Sequence, residues 1–202
     1  MRRSRLLQWC APGLGAALLW LAIGATGATG AFGQSIAPRL AQCAACHGAD
    51  GNSQIKDFPS LAGQPRVFLE NQLVMIREGM RDIPAMKGSL DGVSDADITA
   101  LAKHYASLPV KSAPGAHNSA WLERGRQLAS DMRCGICHLP NYQGREQMPR
   151  LAGQREDYLL HSMRQFRSNQ AVGRDTLMAA ALYGVSDQDL QAMAHFLART
   201  PP

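Results

Sequence analysis

Cys43-Ala-Ala-Cys46-His47 and Cys134-Gly-Ile-Cys137-His138 write one pattern twice, Cys-x-x-Cys-His, at a spacing of 91 residues. Two thiols three positions apart, followed at once by an imidazole, form the attachment signature of c-type haem. The thiols add to the two vinyl groups and the histidine lies under the iron. Two copies predict two covalently held haems, with Cys43, Cys46, Cys134 and Cys137 as attachment points and His47 and His138 as proximal ligands. A four-cysteine zinc site would draw on both pairs at once, but each pair lies inside its own copy of a longer repeat. A thioredoxin-like dithiol would need a strand before the motif, and none is legible.

The repeat runs the length of the chain. Pro59-Ser-Leu61-Ala62-Gly63-Gln64 matches Pro149-Arg-Leu151-Ala152-Gly153-Gln154, Phe68-Leu69 matches Tyr158-Leu159, and Val93-Ser94-Asp95-Ala96-Asp97 matches Val185-Ser186-Asp187-Gln188-Asp189. Self-similarity in constant order at a nearly constant offset marks a duplicated unit. The expected organisation is a signal segment over 1–33, a first domain over 34–110, a linker over 111–118 and a second domain over 119–202. The signal is read from Arg2, Arg3 and Arg5, the apolar stretch from Leu14 to Ile23, and Ala31-Phe32-Gly33 as a cleavage site. Cys10 falls in this segment and receives no role. Export places the chain in the periplasm, where bare thiol pairs would oxidise to disulfides and haem-bound ones would not.

The formal charge of +5 belongs partly to that leader, because removing its three arginines leaves +2. Residues 34–110 carry seven Lys/Arg against eight Asp/Glu, and 119–202 carry ten against eight. Neither balance is a nucleic-acid footprint. There is no polybasic membrane patch, although peripheral membrane association is left open.

Periodicity predicts an all-α fold. From Pro65 to Met80, Phe68, Leu69, Gln72, Leu73 and Ile76 fall at helical spacing. Ser94 and Asp97 stand as a capping box ahead of a face of Ile98, Leu101, Ala102 and Tyr105. Ser186, Asp189, Leu190, Met193, Ala194 and Leu197 repeat that arrangement. A helix is expected over Ser119 to Asp131, and a very short one with Pro38 inside it before Cys43. Domains of this size bury modest cores, which a central haem would complete.

The sixth iron ligand has to come from downstream. Of the nine methionines, only Met86 and Met178 recur in both copies, each read as a loop residue seven positions before the valine that opens the capped helix. Met163 and Met193 align with Leu73 and Leu101 and read as core. Histidine–methionine ligation raises the potential, suits electron transfer and fills both axial positions, which argues against an enzyme acting alone. Pro59 and Pro149 are expected to accept the free imidazole N–H of the histidines through their carbonyls, fixing ring orientation. His104, His117, His161 and His195 read as surface or helix-face residues, His195 as solvated because it aligns with Lys103. Arg164 and Arg167 read as a solvated face that could also meet haem propionates or a partner.

With these residues in view, the chain resembles the di-haem cytochromes c of the c-four type. The resemblance rests on Cys-Ala-Ala-Cys-His-Gly-Ala-Asp-Gly-Asn from Cys43 to Asn52, the two Leu-Ala-Gly-Gln segments, and the methionine followed by Ser-Asp-x-Asp in each half. It covers essentially all of the chain after 33. It implies two tandem class I cytochrome c domains about a pseudo-twofold axis, each wrapped around one haem. It also implies a periplasmic carrier between a respiratory-chain donor, such as a quinol–cytochrome c reductase, and a terminal oxidase or reductase. The second motif departs from the family form, continuing His138-Leu-Pro-Asn, which questions the packing of that loop. The second half has Gly125 and Leu128 where such helices cross the C-terminal helix, and the first half has no equivalent glycine.

Two other functions compete with a free carrier. One is an electron-accepting di-haem subunit of a periplasmic dehydrogenase, such as a flavin- or molybdenum-dependent sulfur-oxidising enzyme. The other is a di-haem peroxidase, which would need an open or bis-histidine iron.

Overall fold

The computed structural model describes residues 36–112 and 115–202. The expected signal segment, with Cys10, lies outside the described residues. The described residues form helices joined by loops, with one isolated bridge between Arg145 and Met148 and no strand.

The first half runs α1 (Ala37–His47), α2 (Arg66–Arg77), a 3₁₀ turn (Pro84–Met86) and α3 (Asp95–Ala106). The second runs α4 (Ser119–Asp131), α5 (Gly135–His138), α6 (Glu156–Arg167), α7 (Thr176–Leu182) and α8 (Asp187–Arg199). Pro38 sits in the first turn of α1, where its missing N–H leaves no helical bond unmade. The expected short helix before Cys43 is therefore one continuous helix that carries the haem motif on its last turns. In the second half the chain breaks after α4, and Arg133 takes a positive φ of 56° before the motif begins.

Capping sets the C-terminal helix of each half. The Ser94 hydroxyl accepts from the Asp97 N–H and the Asp97 carboxylate accepts from the Ser94 N–H, and Ser186 caps α8 through the Asp189 N–H. Such caps contribute about 1 kcal/mol each. Behind them, Ile98, Leu101, Ala102 and Tyr105 of α3, and Leu190, Met193, Ala194 and Leu197 of α8, are buried as the periodicity predicts. The Arg77 guanidinium at the end of α2 donates to the Val93 carbonyl (2.9 Å) and pairs with Asp95. Arg167 of α6 donates to the Val185 carbonyl (3.0 Å) and pairs with Asp187. Arg164 also pairs with Asp187. Arg164 and Arg167 thus tie α6 to the start of α8, a local structural role that the sequence reading had given to solvent or a partner.

His195 corrects the sequence reading more sharply. It is buried, not solvated: its Nε2 accepts the Asn118 N–H at 3.1 Å, and Nδ1 lies 3.3 Å from the Glu156 carboxylate. Trp121 packs edge-on against its ring. The alignment with Lys103 misled because α4 covers this face of α8, and the crossing is close. A Cβ on Gly125 would stand 2.1 Å from the Ala192 carbonyl oxygen.

The core is likewise divided. Second-half residues, including Ala129, Tyr142, Leu159, Leu160 and Met163, form one buried cluster with α8, while the first half buries two smaller ones around Leu101 and Tyr105.

Candidate functional site

α1 delivers Cys43, Cys46 and His47 from its last turns to one side of the first half. His47 is 6% exposed, and its Nδ1 lies 2.9 Å from the Pro59 carbonyl oxygen. A carbonyl can only accept, so Nδ1 carries the hydrogen and Nε2 carries a free lone pair. Burial pulls the imidazole below its ordinary value of 6.5, with the Pro59 carbonyl acting partly in the other direction. The ring is therefore held neutral, in the tautomer that presents Nε2 to a metal.

The second half repeats this geometry with a different approach. Cys134 stands at the N-cap of α5 and His138 closes it. Nδ1 of His138 lies 2.9 Å from the Pro149 carbonyl oxygen, and burial again lowers its pKa. Its Nε2 is buried without a hydrogen-bond partner. A buried ring nitrogen with a lone pair and no donor costs free energy, and coordination to an iron removes that cost. The residues present therefore fit a haem. Burial also raises the Cys43 and Cys134 thiols, so both are protonated at neutral pH. Among the described residues no group of three or more His, Cys, Asp or Glu converges as a metal site, which leaves the four-cysteine zinc reading without support.

The two loops behind the histidines share one backbone. Gly48 and Gly51 have φ of 83° and 71°, and the residues 91 positions on, Leu139 and Tyr142, have 69° and 58°. The Gly51 carbonyl accepts from Leu61 and Ala62, as the Tyr142 carbonyl does from Leu151 and Ala152. The change to Leu-Pro-Asn after His138 therefore leaves the loop path intact. These hydrogen bonds hold the segments that end in Pro59-Ser60 and Pro149-Arg150 against the histidines.

The two methionines sit differently. Met86 closes the 3₁₀ turn and is half-buried. Met178 is half-buried against the second core, but on the helix α7 and not in a loop. The Asp175 carboxylate accepts from the Leu177 N–H and starts this extra helix, with Thr-Leu-Met-Ala-Ala-Ala-Leu supplying helix formers. Met178 therefore departs from the loop position expected of it. A one- to two-turn helix still places its side chain at a defined position.

The periodicity did not indicate a set of contacts between the halves. Gln154 Oε1 accepts from the Ser60 N–H (2.8 Å) and its Nε2 donates to the Ser60 carbonyl (2.9 Å). Gln64 makes the mirrored pair with Arg150, at 2.9 Å and 3.0 Å. All four residues are buried. The Arg150 guanidinium donates to the Ala62 and Ala152 carbonyls, has no carboxylate partner among the described residues, and is pulled down by burial to about 10. The Asp57 N–H donates to Asp157, which is paired with Arg155. Burial acts to raise the Asp157 carboxyl, but the Arg155 guanidinium and two backbone N–H groups outweigh it and hold it below the ordinary carboxylate value. The signal for these contacts was the repeated Leu-Ala-Gly-Gln, read as a family mark without a partner. No described helix is long and apolar enough to cross a membrane.

Known proteins share both sequence and geometry. Residues 122–201 match the family model described as Cytochrome c, and 31–104 match that of Cytochrome C oxidase, cbb3-type, subunit III. The cytochrome c4 of Pseudomonas aeruginosa is 33% identical over 190 residues, covering 89% of this chain and 94% of that protein. A thiosulfate dehydrogenase electron acceptor from Thiomonas intermedia is 34% identical over 175 residues, 81% of each chain. The crystal structure of reduced recombinant cytochrome c4 from Pseudomonas stutzeri superposes with a TM-score of 0.73 at 29% identity, covering 82% of this chain and 98% of that one. Thiosulfate dehydrogenase (TsdBA) from Marichromatium purpuratum superposes at 0.67 with 28% identity, covering 79% of this chain and 36% of that one. With two Cys-x-x-Cys-His sites, two cytochrome c domains and relatives of this similarity across most of its length, the chain belongs to the cytochrome c4 family: it is an electron-transfer cytochrome with two covalently bound c-type haems.

Proposed function

We propose that the chain is a periplasmic electron carrier between respiratory-chain donors and a terminal oxidase or reductase, with His47 and Met86 on one iron and His138 and Met178 on the other. Cys43 with Cys46, and Cys134 with Cys137, would hold the porphyrins through thioether bonds. The haems supply one-electron redox chemistry. The chain fixes the ring plane and tautomer of each histidine through Pro59 and Pro149, and keeps water from the buried imidazoles. The observation that carries this reading is the repeated histidine–proline geometry, with an Nδ1 to carbonyl distance of 2.9 Å in each half. Histidine–methionine ligation leaves neither iron a position for oxygen, peroxide or nitrite. Catalysis then belongs to a partner, and the di-haem peroxidase reading has no open iron to use.

Export through the leader over 1–33 is part of the same proposal, supported by its Arg-rich start, apolar stretch and small-residue site. The domain limits 34–110 and 119–202 are proposed with it, supported by buried clusters that each stay within one half, two in the first and one in the second.

A second reading has a specific observation behind it. Relatives from Thiomonas intermedia and Stutzerimonas stutzeri are named thiosulfate dehydrogenase electron acceptors. On that reading the same two haems accept electrons from a sulfur-oxidising enzyme. Rapid mixing separates the two. The carrier reading predicts fast reduction by a quinol–cytochrome c reductase and fast reoxidation by a terminal oxidase. Reduction only by thiosulfate dehydrogenase with thiosulfate would replace it with the second.

A further inference from the structure

The Pro59 carbonyl and the Ser60 N–H belong to one peptide group, and so do the Pro149 carbonyl and the Arg150 N–H. A trans peptide points its oxygen and its N–H in opposite directions, and among the described residues there is no cis bond. The oxygen of the 59–60 peptide lies 2.9 Å from His47 Nδ1, and its N–H donates to Gln154 of the other half at 2.8 Å. The oxygen of the 149–150 peptide lies 2.9 Å from His138 Nδ1, and its N–H donates to Gln64 of the first half at 2.9 Å. Each chain of groups therefore runs from a glutamine of one half, through a single peptide, to the haem-motif histidine of the other.

We propose that Gln64 and Gln154 are crossed positioning residues, each setting the electron-donating strength of the axial histidine in the opposite half. The proposal rests on the assignment of His47 and His138 as iron ligands. Hydrogen bonds in series polarise one another. An amide oxygen that accepts from the peptide N–H makes the carbonyl at the other end a stronger acceptor. A stronger acceptor at Nδ1 draws the imidazole toward its anionic form and raises its basicity. A more basic ligand favours the oxidised iron, so each glutamine lowers the potential of the haem across the interface. At 4% and 2% exposure for Gln64 and Gln154, water cannot replace the lost acceptor without entering the interface. The second amide bond, from each Nε2 to the carbonyl of residue 150 or 60, fixes which amide oxygen faces the N–H. One consequence is that the two histidines are coupled through the protein in both directions, because separating the halves would remove both glutamine–peptide hydrogen bonds together.

The test uses the holoprotein with Gln154→Leu and Gln64→Leu, and a control, Asp157→Asn, that weakens the interface without touching either peptide. Two observables are read for each half: the reduction potential, and the proton-exchange rate of the His Nδ1–H by nuclear magnetic resonance. Gln154→Leu is expected to raise the potential of the first-half haem and speed exchange at His47, leaving the second half unchanged. Gln64→Leu is expected to do the reverse, and Asp157→Asn to leave the crossed pattern absent. A shift confined to the mutated half, an equal shift of both haems, a crossed shift in the control, or no shift would each overturn the relay. His47→Gly and His138→Gly are measured beside them. If either keeps a low-spin spectrum at both haems, the ligand assignment itself is wrong. If both lose it at one haem and the potentials still do not cross, only the relay fails.

Discussion

Behind their haem motifs the two halves fill the same space from opposite sides. In the first half Gly51 lies in the loop and Tyr105, on α3, reaches the first cysteine of the motif. A Cβ on Gly51 would stand 3.0 Å from the Tyr105 ring. In the second half Tyr142 occupies the loop position itself and packs edge-on to Phe196, while α8 carries Leu197 where α3 has Tyr105. Each tyrosine is buried beside a motif cysteine, and burial raises both phenols. The fold requires a left-handed loop and a filled volume near that cysteine, but not a particular element to supply the ring. At these two loop positions the second half accepts non-glycine residues with positive φ, at a cost of roughly 1–3 kcal/mol each, and offsets it with a larger continuous core and the α4–α8 crossing.

That difference can be broken at its strongest point first. Gly125→Ala puts a methyl group into the Ala192 carbonyl, so α4 has to lift from α8. A loss of about 3 kcal/mol is expected, seen as a lower denaturant midpoint for unfolding of the second half. Next, Tyr105→Leu empties the ring space in the first half, and about 2–3 kcal/mol is expected to be lost. Adding Gly51→Tyr to it rebuilds the second half's arrangement, so the double variant is expected to be more stable than Tyr105→Leu alone. Equal or lower stability in thermal melts would show that the ring position is not interchangeable. The smallest effect comes from the turn after each histidine. Leu139→Gly is expected to stabilise by about 1 kcal/mol through relief of its positive φ, whereas Gly48→Ala is destabilising because its Cβ would meet the Asn52 carbonyl at 2.6 Å. Calorimetry of the two variants should give opposite signs.

Much of this was legible in the residues. The haem motifs, the repeat, the helix caps at Ser94 and Ser186 and the buried faces of α3 and α8 follow from local pattern, and local pattern is what sequence carries most directly. The departures arise where a neighbour intervenes. His195 looked solvated because Lys103 is, but α4 covers it in one half only. Met178 looked like a loop residue because it repeats Met86 at the same distance before a capped helix, but Asp175 nucleates a helix around it. Arg164 and Arg167 looked free because their partner, Asp187, lies at the start of a helix 20 or more residues on. The glutamines of Leu-Ala-Gly-Gln showed in sequence only as repeated letters. Their meaning lies in the pairing of one half with the other, which no single half encodes.

On the proposed ligation, Met86 and Met178, with His47 and His138, close both irons for electron transfer. The methionine–iron charge-transfer absorption of the oxidised holoprotein decides whether they do. Met86→Ala and Met178→Ala are each expected to remove the contribution of one haem and leave the other, and the double variant to remove the band entirely. A variant that retains the full band would contradict the assignment of that methionine, and a wild-type protein with no such band would contradict the account of both sites.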